Sequence, residues 1–161
     1  MNDLERLTAI EDIRTVKARY FRLMDTKDWD GLEAVFAPDA VFDLREMTSV
    51  RDPLTGTWSP PFGGEDQVFR GRDTVMAMVR GALEPLVSVH HGHMPEIEIQ
   101  SETTAAGIWA MEDVVTRPDG ELVLHGRGHY HDTYERLDTG SAIKTTRITR
   151  LKLELGPDPS G

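Results

Sequence analysis

The chain has no cysteine, so disulfide staples and thiolate metal sites are excluded, and its chemistry must come from His, Asp, Tyr and similar groups. Positive charge is scarce: 18 Lys and Arg stand against 28 Asp and Glu, a formal net charge of -10. Binding phosphate backbones needs clustered cations that release counterions, so nucleic acid is not an expected partner. Apolar runs of the ~20 residues that cross a bilayer are missing. The opening MNDLERLTAIEDIR alternates charged and apolar residues where a signal peptide would carry an unbroken apolar stretch. A cytoplasmic protein without membrane attachment is the expectation. The 161 residues fit one domain that can bury enough apolar surface to fold without staples.

Leu7, Ile10, Ile13, Val16, Tyr20 and Leu23 recur at helical spacing between Leu4 and Met24, which predicts an amphipathic helix with Tyr20 on or beside its buried stripe. Asp28 precedes a short second helix carrying Trp29, Leu32, Val35 and Phe36, which the Pro38 region halts. Val41 to Leu44 reads as a strand. The stretch from Thr48 to Asp66, with Leu54-Thr55-Gly56 and Pro60-Pro61, reads as a long hairpin or mobile loop. Gly71-Arg72-Asp73 looks like a loop and N-cap before a third helix with Val75, Met78, Val79 and Leu83 on its apolar face. After Pro85, strand-rich segments near 87–100, 104–116, 121–136 and 142–155 are separated by turn signals, giving an antiparallel meander. Helices before a run of strands indicate an α+β fold, helices on one sheet face, in a single domain over 1–155. The tail from Gly156 to Gly161 is expected to be disordered.

Several residues are candidates for chemistry. Tyr20 and Asp25 put a phenol and a carboxylate on one helix, where the phenol could donate to a ligand oxygen; a five-residue spacing brings them together only if the helix ends near Asp25. The alternative is a core tyrosine and an ordinary helix-ending aspartate. His90, His91 and His93 lie on one strand, where alternation sends His91 and His93 to the face opposite His90 unless Gly92 introduces a bulge. Any of them is a candidate general acid or base. A facial metal triad of His91, His93 and Asp113 is an alternative. Alternation places Asp113 with Trp109, Met111 and Val115, an odd face for a carboxylate unless it is paired. His125, Arg127, His129 and His131 form a basic row facing solvent or a subunit contact, and Arg147 and Arg150 are read as partners of carboxylates.

Tyr20 to Asp25, Asp28-Trp29, Phe36 to Ala40, Gly71-Arg72, His90 to Ile97, Trp109 to Asp113 and Gly128 to Tyr134 together resemble the SnoaL-like branch of the nuclear transport factor 2 superfamily, over nearly the whole chain. The resemblance implies a cone in which about three N-terminal helices pack on a strongly curved antiparallel sheet around an internal pocket. Within the branch the chain looks most like the bile-acid 7α-dehydratase group, which acts without metal or organic cofactor. Carried over by motif, the catalytic groups fall on Tyr20, Asp25, His90 and Asp113, with His90 and Asp113 meeting across strands. The implied activity is a cofactor-independent lyase, a dehydratase of a hydroxylated, ring-containing oxo compound such as a steroid. His90 would be the base, Asp113 would support its imidazolium, and Tyr20 assisted by Asp25 would donate to oxygen. Isomerisation or simple ligand binding are the alternatives. The expected partners are a small apolar or steroid-like ligand and further copies of the chain, as a trimer or dimer.

Overall fold

Residues 1–59 and 63–157 are described in a computed structural model; Pro60-Pro61 and the last part of the expected tail, 158–161, lie outside them. Helix α1 spans Asp3–Asp25. Its start is fixed by a capping box, in which Glu5 N–H donates to Asn2 Oδ1 at 2.9 Å and Asn2 N–H to Glu5 Oε2 at 2.7 Å. Its end is a Schellman motif: Lys27 N–H donates to the Met24 carbonyl at 3.2 Å and Asp28 N–H to that of Leu23 at 2.9 Å. Lys27, the αL residue of that motif, has φ 61°. The helix therefore stops at Asp25 and turns sharply.

The buried face of α1 is Ile13, Val16, Lys17, Tyr20, Phe21, Leu23 and Met24. Leu7, expected on that face, is exposed, because the first turns of α1 run past the sheet. Helix α2 covers only Trp29–Glu33, and Phe36, expected at its end, instead opens strand β1, Phe36–Asp43. Pro38 does not break this strand because it lies in a register shift between Phe36 and Val41, where a missing amide costs no ladder bond. Strands β2 (Val50–Arg51) and β3 (Trp58–Ser59) form a short hairpin inside the expected loop. After β4 (Val68–Arg70), helix α3 runs Arg72–Leu83, capped by Gly71 at φ 88° rather than by the Asp73 side chain.

The meander is as expected: β5 (Val87–Ile99), β6 (Thr104–Thr116), β7 (Leu122–Leu137) and β8 (Gly140–Leu155) pair antiparallel in chain order. Beyond β8 the pairing changes direction, since β1 and β2 both lie parallel to β8. The eight-stranded sheet is thus mixed, ordered β3-β2-β8-β7-β6-β5, with β1 beside β8 and β4 beside β1. It curls without closing, and β5 forms one edge. Its inner face carries Trp109, Met111, Tyr130, Tyr134, Ile143 and Ile148, and α1 and α3 close over them to make one core. Each large apolar side chain buried this way contributes about 1.5–3 kcal/mol. Gly92 is needed in this packing, because a Cβ there would sit 2.3 Å from Phe21 Cε2.

One polar cluster is sealed inside the core. Lys17 Nζ lies 2.7 Å from Asp132 Oδ2, both side chains fully buried. Asp132 also accepts from Tyr134 Oη at 2.8 Å and Thr146 Oγ1 at 2.6 Å, and Trp109 Nε1 donates to Tyr134 Oη at 2.8 Å. The Lys17 ammonium rests against the faces of Tyr130 and Tyr20, 3.7 and 4.4 Å from the ring centroids. Burial pulls its affinity for a proton down, against the raising influence of Asp132.

Candidate active site

A cavity of about 250 Å³ opens between α1, α3 and the inner sheet face. Most of its wall is apolar, with Met24, Phe42, Leu44, Met47, Met78 and Leu83 prominent, while its polar groups are Tyr20, Tyr130, His90, Asp113 and Arg150. A few convergent polar groups in an apolar hollow is the usual build of a small-molecule site.

His90 is brought there by the alternation of β5, which turns Ser88 and His90 inward and leaves His91 and His93 exposed. The register shift between Gly92 and Pro95 falls after His90 and does not disturb this. Because α1 stops where it does, Asp25 projects onto the same strand. His90 Nδ1 is 2.6 Å from Asp25 Oδ1, and the backbone N–H of His90 donates to Asp25 Oδ2 at 2.7 Å. Ser88 Oγ donates to Asp25 Oδ1 at 2.9 Å. A carboxylate accepting at Nδ1 favours the tautomer whose Nε2 is the unprotonated nitrogen, and His90 is among the residues that line the cavity.

Tyr20 and Tyr130 stand beside this imidazole, each 1% exposed. Their rings meet edge to face at 5.8 Å. Burial pushes both phenols well above the ordinary tyrosine range, so each keeps its proton.

Asp113 sits directly across from His90 in the β5–β6 register, but its carboxylate turns to Arg150. Arg150 Nη1 and Nη2 donate to Asp113 Oδ1 and Oδ2 at 2.6 and 2.9 Å, and Nε donates to the Met47 carbonyl at 3.1 Å. The guanidinium side chain is 1% exposed and the carboxylate 6%. Such a bidentate pair is geometrically strong, and its two charges cancel within the cavity wall. Gly126 makes room for it, since a Cβ at that position would lie 2.3 Å from Arg150 Nη1 and 2.5 Å from Asp113 Oδ1.

Residues 5–147 match the SnoaL-like domain family. The chain belongs to this family. Among curated proteins it is 22% identical over 148 residues to the probable cyclase FGR4 of Gibberella zeae, covering 89% of this chain and 91% of that one. A candidate scytalone dehydratase from Novosphingobium aromaticivorans superposes with a TM-score of 0.72 at 18% identity, covering 93% of this SnoaL-like chain and 89% of that one. The hexachlorocyclohexane dehydrochlorinase LinA-type3 from Novosphingobium barchaimii also gives a TM-score of 0.72, at 15% identity, with 98% and 96% covered. At these identities the solved structures speak for the fold, the nuclear transport factor 2-like cone.

Of the four residues singled out by motif, Tyr20, His90 and Asp113 line one cavity and Asp25 is bonded to His90, but they do not meet in the expected pairs. His90 is partnered by Asp25 rather than Asp113, because the end of α1 delivers a carboxylate to Nδ1 while Arg150 claims Asp113. Tyr20 packs edge to face on Tyr130, while the Asp25 carboxylate is taken by His90 and Ser88. The alternative triad of His91, His93 and Asp113 is separated by the sheet, with the two histidines outside and Asp113 inside. On the outer face Glu112 accepts from His125 at 2.6 Å and from Arg127 Nε at 3.2 Å, and Arg147 pairs with Glu46. Tyr130 and Lys17 escaped sequence reasoning, although both had a signal: Tyr130 alternates with the basic row of β7, and Lys17 falls on the stripe of Ile13 and Tyr20. Among the described residues no helix is long and apolar enough to cross a membrane.

Proposed function

We propose that this protein is a cofactor-independent lyase, a dehydratase acting on a neutral, ring-containing hydroxy-carbonyl compound of the hydroxylated oxo-steroid type. The observation that carries the reading is the His90–Asp25 pair at an apolar cavity that two buried phenols also line. His90 Nε2 takes a proton from carbon activated by the carbonyl, and Asp25 holds the resulting imidazolium. Negative charge grows on the carbonyl oxygen, where a protonated phenol lining the cavity, Tyr20 or Tyr130, donates to it. The electron pair then forms the new C=C bond as hydroxide departs with the proton from His90, leaving as water. Asp113 and Arg150 line the same wall as a neutral pair. The Asp113–Arg150 pair is internally balanced, so the wall it forms offers no net charge to an ionised substrate. The relatives named for dehydratase and dehydrochlorinase activity carry out eliminations, which agrees with this chemistry.

The test is turnover of a panel of hydroxylated oxo-steroids and smaller hydroxy-enones, followed by the absorbance of the new conjugation, for wild type and His90→Ala. Product from the wild type alone supports the lyase. A shifted double bond without loss of water makes it an isomerase, and tight binding by both proteins with no conversion makes it a binding protein.

A further inference from the structure

Among the described residues, Lys27 is the one non-glycine residue with a positive φ. It occupies the αL position of the Schellman motif after α1, where glycine is the usual choice because a Cβ is strained there. Backbone strain retained at such a point calls for a compensating role of the side chain. Lys27 Nζ donates to Ser88 Oγ at 3.1 Å, Ser88 Oγ donates to Asp25 Oδ1 at 2.9 Å, and that same oxygen lies 2.6 Å from His90 Nδ1. The ammonium also lies over the Trp29 ring, 5.7 Å from its centroid. One cation therefore stands at the end of an unbroken chain leading to the imidazole.

We propose that Lys27 is a positioning residue for His90: its ammonium, acting through Ser88, holds Asp25 in place and disfavours the protonated imidazole, so that Nε2 stays available as a base. This rests on the reading of His90 as the base. The other ionisable groups facing His90 leave that influence uncancelled. Asp113 of β6 and Arg150 of β8 neutralise one another, Tyr20 of α1 and Tyr130 of β7 are kept protonated by burial, and α3 presents only apolar residues to the cavity. Asp25 is the charge in contact with the imidazole, and Lys27 reaches that carboxylate through Ser88. Burial lowers the affinity of the Lys27 amine for its proton while Asp25 raises it, as expected for a cation drawn to this carboxylate.

Lys27→Gly separates the two roles, because glycine relieves the backbone strain while removing the charge. The readout is the His90 ring titration followed by heteronuclear NMR without any substrate, its resonance assigned by comparison with His90→Gln. The variant is expected to be as stable as the wild type or more so, with its His90 midpoint higher by about 0.5 to 1 pH unit at low salt. The difference should shrink as added salt screens the half-exposed ammonium. Lys27→Asn, which also tolerates αL, is expected to show the same rise, and Lys27→Arg to restore the wild-type midpoint. A midpoint unmoved in both uncharged variants, or an equal rise in Lys27→Arg, overturns the proposal. Since no turnover is needed, a shifted midpoint in a protein inert towards the whole substrate panel would leave this inference standing and remove the lyase reading.

Discussion

Adding one methyl group at Gly126 is the most direct challenge to the buried pair that forms the cavity wall. The new Cβ would lie 2.3 Å from Arg150 Nη1, 2.5 Å from Asp113 Oδ1 and 2.7 Å from Arg150 Cζ. An exposed arginine would swing away at little cost. Arg150 is held by Asp113 at both terminal nitrogens, by the Met47 carbonyl at Nε, and by Met111 Sδ at 3.4 Å from Nη1. If the pair shifts but stays joined, the cost is that of overpacking, about 1–3 kcal/mol. If it is severed, two buried charges lose each other and the cost rises to about 3–5 kcal/mol. Alanine recovers roughly 0.5–1 kcal/mol of that through the smaller backbone entropy it surrenders in a strand. Gly126→Ala is therefore expected to be less stable by about 2–4 kcal/mol. In a chain of this size that corresponds to a Tm lower by roughly 5 to 15 °C. Urea unfolding followed by circular dichroism measures it, with an unchanged m value showing that the unfolding reaction is the same. A variant within about 0.5 kcal/mol of wild type would refute the claim that this glycine exists to house the pair.

The opposite sign is expected in α3, where nothing lies within 4 Å of a Cβ built at Gly81; Gly81→Ala should stabilise by about 0.4–1 kcal/mol in the same urea assay. Arg150→Met leaves Asp113 buried and unpaired, so it should destabilise by about 3–5 kcal/mol, and Asp113→Leu combined with Arg150→Met should recover most of the loss in a double-mutant cycle. Alkaline titration should be steep, because all 3 tyrosines of the chain, Tyr20, Tyr130 and Tyr134, are buried with their proton affinity raised. Above about pH 10 the unfolded chain releases phenolic protons that the folded one keeps, so stability falls by up to about 1.4 kcal/mol per pH unit for each phenol. Lys17, whose affinity is lowered, works the other way up to the ordinary lysine value of 10.5 but is one group against three. Absorbance at the tyrosinate band should consequently appear only together with unfolding; tyrosinate formed in the folded state would contradict this.

The elements with a clear period were legible. The stripe of α1, the apolar face of α3 and the alternation of β5–β8 follow from spacing alone, and alternation grouped Asp113 with Trp109, Met111 and Val115, though not whether that face is the buried one. Of strand β1 only the second half was legible, as the strand read at Val41 to Leu44; its first half was hidden, since Pro38 reads as a breaker when its register shift is unseen. The pairings within the site were hidden for a different reason. Asp25 and His90 are 65 residues apart, and Asp113 and Arg150 37 apart, so which carboxylate meets which cation depends on where α1 stops and how the sheet curls. The Schellman turn that decides the first of these carries lysine where glycine would have announced it. The glycine that permits the second, Gly126, looks like any small residue in a strand until Arg150 is placed beside it.

The bond from His90 N–H to Asp25 Oδ2 has a consequence for how the molecule behaves in a crowded solution. Strand β5 is the open edge of the sheet, and an edge amide aimed at solvent is an invitation to pair with a strand from another molecule. Asp25 occupies that amide with a side chain, Pro95 offers no amide at all, and the bulge between Gly92 and Pro95 bends the remainder out of the flat register that stacking requires. Glu96 and Glu98 add like charge along the same border. The carboxylate that steadies the imidazole thus also guards the sheet against self-association, and a substitution there would be felt in the test tube as turbidity as well as in the reaction.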